Sequence, residues 1–106
     1  MKNKFDLSGK TAVVTGAGQG LGRSFARALS GAGAEVFLMA RNLERLTRTA
    51  GEMADEMGTA THAIQLDITN EQSIINACAE VLEITGKIDI LVNNAAVGRR
   101  DVRLID

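Results

Sequence analysis

A glycine-rich stretch between Thr15 and Gly22, with the sequence Thr-Gly-Ala-Gly-Gln-Gly-Leu-Gly, is the part of this chain best suited to chemistry. It follows a short apolar run, Thr11–Thr15, and leads into an amphipathic segment, Leu21–Ser30. Glycine adopts backbone conformations that other residues avoid, and it lets the main chain approach a ligand closely. A helix that begins there presents unpaired N–H groups and the positive end of its dipole. The stretch therefore predicts a phosphate-binding turn between a strand and a helix.

The rest of the sequence alternates between apolar runs and helical patterns. Buried strands are predicted at Thr11–Thr15, Glu35–Ala40, His62–Leu66 and Ile88–Asn93. Between these strands, apolar residues recur at helical spacing in three segments, and each set predicts one apolar stripe on a helix. The three stripes are Leu21, Phe25, Ala28 and Leu29; Leu43, Leu46, Ala50, Met53 and Met57; and Ile74, Cys78, Val81 and Leu82. Gly58 and Gly86 are expected to end the second and third helices, and Thr69 or Asn70 to begin the third. This order predicts an α/β fold: a three-layer, doubly wound (Rossmann) parallel sheet of strand order 3-2-1-4, truncated after the fourth strand.

The composition is that of a soluble globular domain. The chain has 106 residues, of which 45% are hydrophobic and 24% charged, so we expect at most one domain and no bulk disorder. A net charge of -1 gives no reason to expect a nucleic-acid or membrane partner, and no apolar run approaches the roughly 20 residues of a membrane span. The single cysteine, Cys78, excludes an internal disulfide and fits a reducing compartment, so we expect a cytoplasmic protein.

Two further motifs follow predicted strands: Leu66-Asp67-Ile68-Thr69 closes the third, and Asn93-Asn94-Ala95-Ala96 closes the fourth. With the glycine turn, they lie at the carboxyl ends of strands, where a doubly wound sheet binds its ligand. Together with the Thr-Gly-x-x-x-Gly-x-Gly pattern of Thr15–Gly22, they resemble the short-chain dehydrogenase/reductase family from about Leu7 to Ala95. The family usually reads Asn-Asn-Ala-Gly in the last motif, so Ala96 is a departure.

The resemblance implies a cofactor site for NAD or NADP. The backbone from Gly16 to Gly22 would hold the adenosine ribose and the pyrophosphate. Asp67 would accept a hydrogen bond from the adenine amino group, with Ile68 beside the ring, and Asn94 and Ala95 would pack along the ribose. The predicted cofactor-binding residues are Gly16, Gly18, Gln19, Gly20, Leu21, Gly22, Arg41, Asp67, Ile68, Asn94 and Ala95. Capping or turn formation is the alternative role of Asp67 and of the two asparagines, and we expect Asn93 to be structural.

The end of the second strand, Leu38-Met-Ala-Arg-Asn42, bears on the choice between NADP and NAD. Folds that prefer NAD usually place an acidic residue there, about 20 residues past the glycines, to bind the ribose 2′-hydroxyl. Here Ala40 occupies that place and Arg41 follows, and a guanidinium can bind a 2′-phosphate through two charge-assisted hydrogen bonds. The sequence favours NADP. NAD stays an alternative, because many NADP-dependent family members have a basic residue within the glycine loop, where this chain has Gln19.

The same resemblance implies that the catalytic residues lie elsewhere. The family uses a serine, a Tyr-x-x-x-Lys pair and a relay asparagine, all beyond the fourth strand, and this chain contains no tyrosine. We therefore expect 1-106 to be the N-terminal part of a single NAD(P)-binding Rossmann domain, without catalytic residues or a metal site, and inactive by itself. The intact enzyme would be a homo-oligomer that transfers hydride between NADP(H) and a small carbonyl or secondary alcohol.

Two other functions are alternatives. A catalytically inactive nucleotide-binding or regulatory module from a truncated gene fits the lack of tyrosine, if Asp106 is the natural end. A methyltransferase is the other, since Gly16-x-Gly18-x-Gly20 also fits a loop for S-adenosylmethionine, but Ala40 and Arg41 stand where those folds carry an acidic residue. In the intact enzyme, later segments would cover the outer edge of the fourth strand; without them, an open apolar edge at Ile88–Val92 would promote association.

Overall fold

The computed structural model describes residues 6–17 and 20–94. Helices and strands alternate in the order β1 (Thr11–Thr15), α1 (Gly20–Gly31), β2 (Glu35–Ala40), α2 (Leu43–Met57), β3 (Thr61–Gln65), α3 (Glu71–Thr85) and β4 (Ile90–Asn93). The four strands form one parallel sheet of order β3-β2-β1-β4. The predicted fold class and strand order are confirmed.

Helices cover both faces of the sheet, because alternate residues of each strand point to opposite sides. On one face, Val14 of β1 packs in a core with residues of α1 and α2, among them Leu46. On the other face, Val13 and Phe37 pack beneath Val81 of α3. The switch between faces occurs at β1, which pairs with β2 on one side and β4 on the other. The described residues thus form the three predicted layers.

Two strands have different bounds from those predicted. β3 begins and ends one residue earlier, and β4 begins at Ile90 instead of Ile88. The later start of β4 has a side-chain cause. The Asp89 carboxylate accepts the Thr11 N–H at 2.8 Å, and the Asp89 N–H donates to the Thr11 carbonyl at 2.9 Å. A carboxylate therefore bonds the β1 amide that a longer β4 would have bonded through its main chain.

The apolar stripe predicted for α1 is largely wrong. The buried residues of this helix are Gly22, Ala26 and Ser30, whereas Leu21 and Phe25 are 63% and 41% exposed. Small side chains on the inner face allow a helix to lie close to the layer beneath it. The amphipathic pattern thus located the helix but assigned its buried face to the wrong residues.

The other two stripes are partly confirmed. In α2, Leu46, Ala50 and Met53 are buried, while Leu43 at the start of the helix is exposed. In α3 the buried residues are Ala77 and Val81, Cys78 is half-buried, and Ile74 and Leu82 are exposed. Leu91 of β4 is also exposed, so apolar surface remains on α3 and on this edge strand.

The ends of α2 and α3 follow the predicted signals. Gly58 and Gly86 adopt the left-handed conformation and cap the two helices. Asn70, one of the two predicted caps, accepts the N–H groups of Gln72 and Ser73 at 2.9 and 3.2 Å. None of the helices in the described ranges is both long enough and apolar enough to cross a membrane.

Candidate functional site

The loops that follow the four strands meet along one rim of the sheet, because parallel strands all end on the same side. Gly16 follows β1, Arg41 follows β2, Asp67 comes two residues after β3, and Asn94 follows β4. An open sheet of this kind binds ligands at this rim, next to the point where the strand order reverses. The predicted positions Gly18, Gln19 and Ala95 lie outside the described residues.

The turn after β1 folds back onto the end of β2. The N–H groups of Gly16 and Ala17 both point at the Met39 carbonyl oxygen, at 2.8 and 3.4 Å. α1 then begins at Gly20, where φ is +62° and an added Cβ would meet no atom within 4 Å. Glycine is thus favoured at Gly20 by backbone conformation and not by crowding. The turn brings the amino end of α1, with its unpaired N–H groups, to the rim.

Gly22 has a packing role in the first turn of α1. A Cβ at this position would lie 2.2 Å from the Gly16 carbonyl oxygen and 2.7 Å from Asn94 Nδ2. Only glycine allows the helix to contact the loops after β1 and β4 at once. Leu21, its neighbour, is mostly exposed. Of these two predicted residues, Gly22 sets the geometry of the turn and Leu21 faces solvent.

The Thr15 hydroxyl connects the ends of β1 and β4. It donates to Asn93 Oδ1 at 3.1 Å and accepts the Asn94 N–H at 3.0 Å. Asn94 in turn donates from Nδ2 to the Gly16 carbonyl at 3.5 Å. Asn93 thus makes the structural contact expected of it, and Asn94 lies against the glycine turn. In the sequence, Thr15 stands out only as the first residue of the glycine motif, and its bridging role was not predicted.

Asp67 is held in a turn by Thr69. The Asp67 Oδ1 atom accepts both the Thr69 N–H at 3.0 Å and the Thr69 hydroxyl at 2.6 Å, while the Asp67 N–H donates to Ser73 Oγ at 3.0 Å. The hydroxyl of Thr69, then its N–H, and to a smaller extent the charge of Arg41, hold the pKa of Asp67 below its ordinary value of 3.8. The carboxylate is therefore charged at neutral pH. The alternative turn role of Asp67 is present, and both hydrogen bonds that the carboxylate accepts from Thr69 fall on Oδ1.

The roles of Thr69 and Ser73 were missed at the sequence level. An aspartate followed two residues later by threonine is a local signal for a side-chain turn, and it could have identified Thr69. The contact of Ser73 with Asp67 spans the start of α3, so it depends on how the helix is placed. Ile68 is half-buried and packs against the core beneath α3.

Arg41 is exposed between β2 and α2. Its carbonyl accepts a hydrogen bond from Gln65 Nε2 at 3.0 Å, and the next residue, Asn42, caps α2 by accepting the Arg45 N–H at 3.0 Å. Within the described ranges Arg41 forms no ion pair. Arg41 follows β2 and Asp67 follows the neighbouring strand β3, so both lie on the same part of the rim, and the charge of Arg41 contributes to the lowered pKa of Asp67. Sequence reasoning did not identify Gln65.

His62 is remote from this rim, at the amino end of β3. Its Nε2 lies 2.7 Å from Glu35 Oε2, and its ring stacks on Phe37 with the centroids 4.3 Å apart. No group of three or more His, Cys, Asp or Glu side chains in the part of the chain that the structure describes could hold a metal ion. His62 thus has structural partners in the sheet.

A doubly wound parallel sheet with a glycine turn, an arginine, an aspartate and an asparagine along its carboxyl rim is a Rossmann-type fold, an arrangement typical of dinucleotide-binding domains. The family model of the short chain dehydrogenases matches residues 10–104. The chain belongs to the short-chain dehydrogenase family, as its motifs predicted.

Known proteins agree with this assignment. The sorbitol dehydrogenase of Cereibacter sphaeroides is 48% identical over 91 residues, which are 86% of this chain and 34% of that protein. The L-sorbose reductase of Gluconobacter frateurii, solved with NADPH and L-sorbose, matches 94% of this chain and 38% of its own at 30% identity, with a TM-score of 0.86. A metagenomic short-chain oxidoreductase solved with NADP matches with a TM-score of 0.83 at 40% identity, over 88% of this chain and 42% of its own. The chain therefore spans between about a third and two fifths of the length of the curated relatives that it matches.

Proposed function

We propose that this chain binds the adenosine end of NADP(H) as the N-terminal part of a single-domain oxidoreductase. The complete enzyme would transfer hydride between NADP(H) and a small carbonyl compound or secondary alcohol. The observation that carries the proposal is the convergence of the described glycines of the turn (Gly16, Gly20 and Gly22), Arg41 and Asp67 at the carboxyl ends of the strands, on one rim of the sheet. The solved neighbours that contain NADPH and NADP support it, and a relative named for sorbitol supports the substrate class.

The residues of the rim fit a dinucleotide. Open space beside Gly20, at the amino end of α1, suits a phosphate group. The Asp67 carboxylate can accept a hydrogen bond from the adenine amino group, and Ile68 offers an apolar surface to the ring. Asn94 lies where it can line the ribose next to Gly16, and we assign Ala95 the same role by its place in the motif. When bound, the cofactor would supply or accept the hydride, and these residues would hold its adenosine end.

Arg41 supports NADP over NAD. The end of β2 carries Ala40 and Arg41 in place of the acidic residue that binds a 2′-hydroxyl. A guanidinium is well matched to a 2′-phosphate, because it donates paired hydrogen bonds to two phosphate oxygens. Arg41 is exposed at the rim and forms no ion pair with another described residue. We therefore assign it to the 2′-phosphate.

The chain by itself is expected to turn over no substrate, since it contains no tyrosine to transfer the proton. An inactive nucleotide-binding module would bind the cofactor in the same way, so only the longer protein can separate that alternative from the enzyme. Membership of the dehydrogenase family argues against the methyltransferase alternative. The homo-oligomeric state of the intact enzyme and the cytoplasmic location stay predictions.

Titration with NADPH and NADH, followed by isothermal calorimetry, tests the proposal. We expect NADPH to bind more tightly. Arg41→Ala is expected to weaken NADPH about tenfold or more, because a hydrogen bond to a charged group contributes about 1.5–3 kcal/mol, and to leave NADH nearly unchanged. Arg48→Ala, an exposed arginine within α2, is the matched control and should alter neither affinity. Equal losses for both cofactors in Arg41→Ala would contradict the NADP assignment, and binding of neither cofactor by a folded chain would contradict the whole proposal.

A further inference from the structure

We infer that Gln65 is a positioning residue for NADP selectivity, whose side-chain amide holds the main chain of Arg41 so that the guanidinium faces the 2′-phosphate. The inference rests on the proposed function, because it deepens the role assigned there to Arg41. It adds a residue on a different strand, 24 positions further along the chain. Neither the glycine motif nor the charge at the end of β2 indicated this residue.

The side chain of Gln65 adds one hydrogen bond beyond the main-chain hydrogen bonds that join β2 and β3. Gln65 is the last residue of β3 and pairs with Ala40, the last residue of β2. One step further, the Leu66 N–H donates to the Ala40 carbonyl at 2.8 Å. The next carbonyl, that of Arg41, is bonded by the Gln65 side chain at 3.0 Å. Two successive carbonyls are thus bonded from the same strand, the first by main chain and the second by a side-chain amide.

The residue after Arg41 is fixed from the other direction. Asn42 caps α2, with its side chain on the Arg45 N–H, and its carbonyl accepts the Leu46 N–H at 3.0 Å. Arg41 is therefore the single residue between the end of β2 and the capped start of α2. The main chain of Arg41 is therefore held from two directions: by Gln65 at the end of β3 and by the Asn42 cap at the start of α2. Because the side chain of arginine is long, a small rotation of this peptide would displace the guanidinium by a larger distance.

The same strand end also carries Asp67. Gln65 and Asp67 flank Leu66, which is buried and anchors this segment in the core. The proposed contacts to adenine and to the 2′-phosphate are consequently both supported by the same core-anchored segment. Glutamine suits this position because its amide donates to a carbonyl without bringing a charge that would compete for the guanidinium.

Gln65→Leu removes the donor and keeps the approximate size of the side chain. Loss of one neutral hydrogen bond that orients Arg41 is expected to raise the Kd for NADPH about three- to tenfold. The Kd for NADH should stay within about twofold, since NADH carries no 2′-phosphate. Gln65→Glu should weaken NADPH further, because a carboxylate cannot donate to the Arg41 carbonyl and repels a phosphate.

Gln72→Leu is the matched control. Gln72 lines the same groove between β3 and α3 as Gln65, but its amide donates to Asn76 Oδ1 within α3 at 2.9 Å. This substitution should leave the ratio of the two affinities unchanged. Should Gln65→Leu fail to fold, Gln65→Asn keeps the amide, shortens its reach by one methylene, and is expected to lose the same selectivity.

These titrations distinguish the positioning role of Gln65 from the proposed binding of the 2′-phosphate by Arg41. A ratio of NADPH to NADH affinity that falls in Gln65→Leu and not in Gln72→Leu supports the inference. If Gln65→Leu weakens both cofactors equally or neither, while Arg41→Ala still weakens NADPH selectively, the positioning role is wrong and the proposed function stands. If Arg41→Ala itself leaves the ratio unchanged, the proposed function fails and the role of Gln65 fails with it.

Discussion

The two ends of the parallel sheet are held together by different kinds of contact. At the amino ends of the strands, Asp89 accepts the Thr11 N–H and pairs with Lys87 Nζ at 3.0 Å, and Lys87 also donates to the Gly9 carbonyl. A charged side chain, that of Asp89, thus joins β1 to β4 at this end. At the carboxyl ends, the neutral hydroxyl of Thr15 joins β1 to β4.

Two aspartates illustrate the difference. The pKa of Asp89 is lowered chiefly by the Thr11 N–H and then by Lys87, and the pKa of Asp67 chiefly by the Thr69 hydroxyl. A lowered carboxyl pKa therefore does not by itself mark a binding site. Asp67 differs because it shares its end of the sheet with a glycine turn and an arginine. We conclude that substitutions at the amino ends should change stability alone, whereas those at the carboxyl ends should change stability and cofactor binding together.

The largest effect is expected from Gly22→Ala. The added methyl group would lie 2.2 Å from the Gly16 carbonyl oxygen, which is main chain and cannot turn aside as a flexible side chain would. Overpacking of this kind costs about 1–3 kcal/mol or more of the free energy of unfolding, and moving α1 away from Gly16 should abolish NADPH binding. Urea unfolding and an NADPH titration measure both effects.

Gly51→Ala is the matched control for Gly22→Ala. Gly51 lies within α2, and a Cβ there would meet no atom within 4 Å. Alanine in this open helical position should stabilise the fold by roughly 0.5–1 kcal/mol without altering NADPH binding. A Gly22→Ala protein as stable and as competent in binding as the parent would contradict the close packing at this rim.

Thr15→Val should have the second largest effect. Valine keeps the shape of threonine but leaves Asn93 Oδ1 and the Asn94 N–H without the hydroxyl that bonds them. Unsatisfied groups of this kind cost about 1–3 kcal/mol, and displacement of Asn94 from the glycine turn should also weaken NADPH binding several-fold. Chemical unfolding and cofactor titration distinguish the two losses.

Thr59→Val serves as its comparison at the other end of the sheet. The Thr59 hydroxyl lies 2.6 Å from Ser30 Oγ, between the end of α1 and the start of β3. Its removal should reduce stability and leave NADPH affinity unchanged. If Thr15→Val and Thr59→Val lost equal affinity for NADPH, the conclusion that only the carboxyl ends of the strands affect cofactor binding would be wrong.

Much of the fold was predictable because burial on two faces leaves a strong trace in the sequence. The nearly continuous apolar run of Val36–Met39 predicted a strand covered on both sides, and all four of its residues are buried. The face of α1 was not predictable in the same way. Its buried residues are small, since Gly22 must abut Gly16, and hydrophobicity patterns weigh large side chains such as Phe25 more heavily.

Site residues that lie close together in the sequence were predictable, whereas polar contacts between residues far apart in the sequence were not. Gly16 and Gly22 belong to one glycine-rich motif, which predicts a tight turn between a strand and a helix. The contact of Gln65 with the Arg41 carbonyl joins two strands, and the contact of Asp89 with Thr11 spans 78 positions. Such pairs arise only once the strand register is set, because no local spacing in the sequence brings them together.

Asp89→Asn is expected to have the smallest effect. It also tests most directly the comparison between the amino and carboxyl ends of the strands. Because its pKa in the folded chain lies below the ordinary value of 3.8, the Asp89 carboxylate stabilises the fold above that value. This contribution is lost as the pH falls through the folded-state pKa. Asp89→Asn should therefore be less stable than the parent at pH 7, and the gap should narrow once the pH drops below about 4. Urea midpoints between about pH 7 and 2 measure it.

Asp67→Asn completes the test, because this carboxyl also has a lowered pKa but lies at the opposite end of the sheet. Both variants should show a stability gap that narrows in acid, since each removes a carboxylate that the folded chain stabilises. Only Asp67→Asn should weaken NADPH, because an amide places a different set of donors and acceptors before the adenine amino group. A loss of NADPH affinity in Asp89→Asn would show that the amino ends of the strands also shape the site. A gap for Asp89→Asn that stayed constant with pH would mean that the shape of its side chain, and not its charge, closes β1 onto β4.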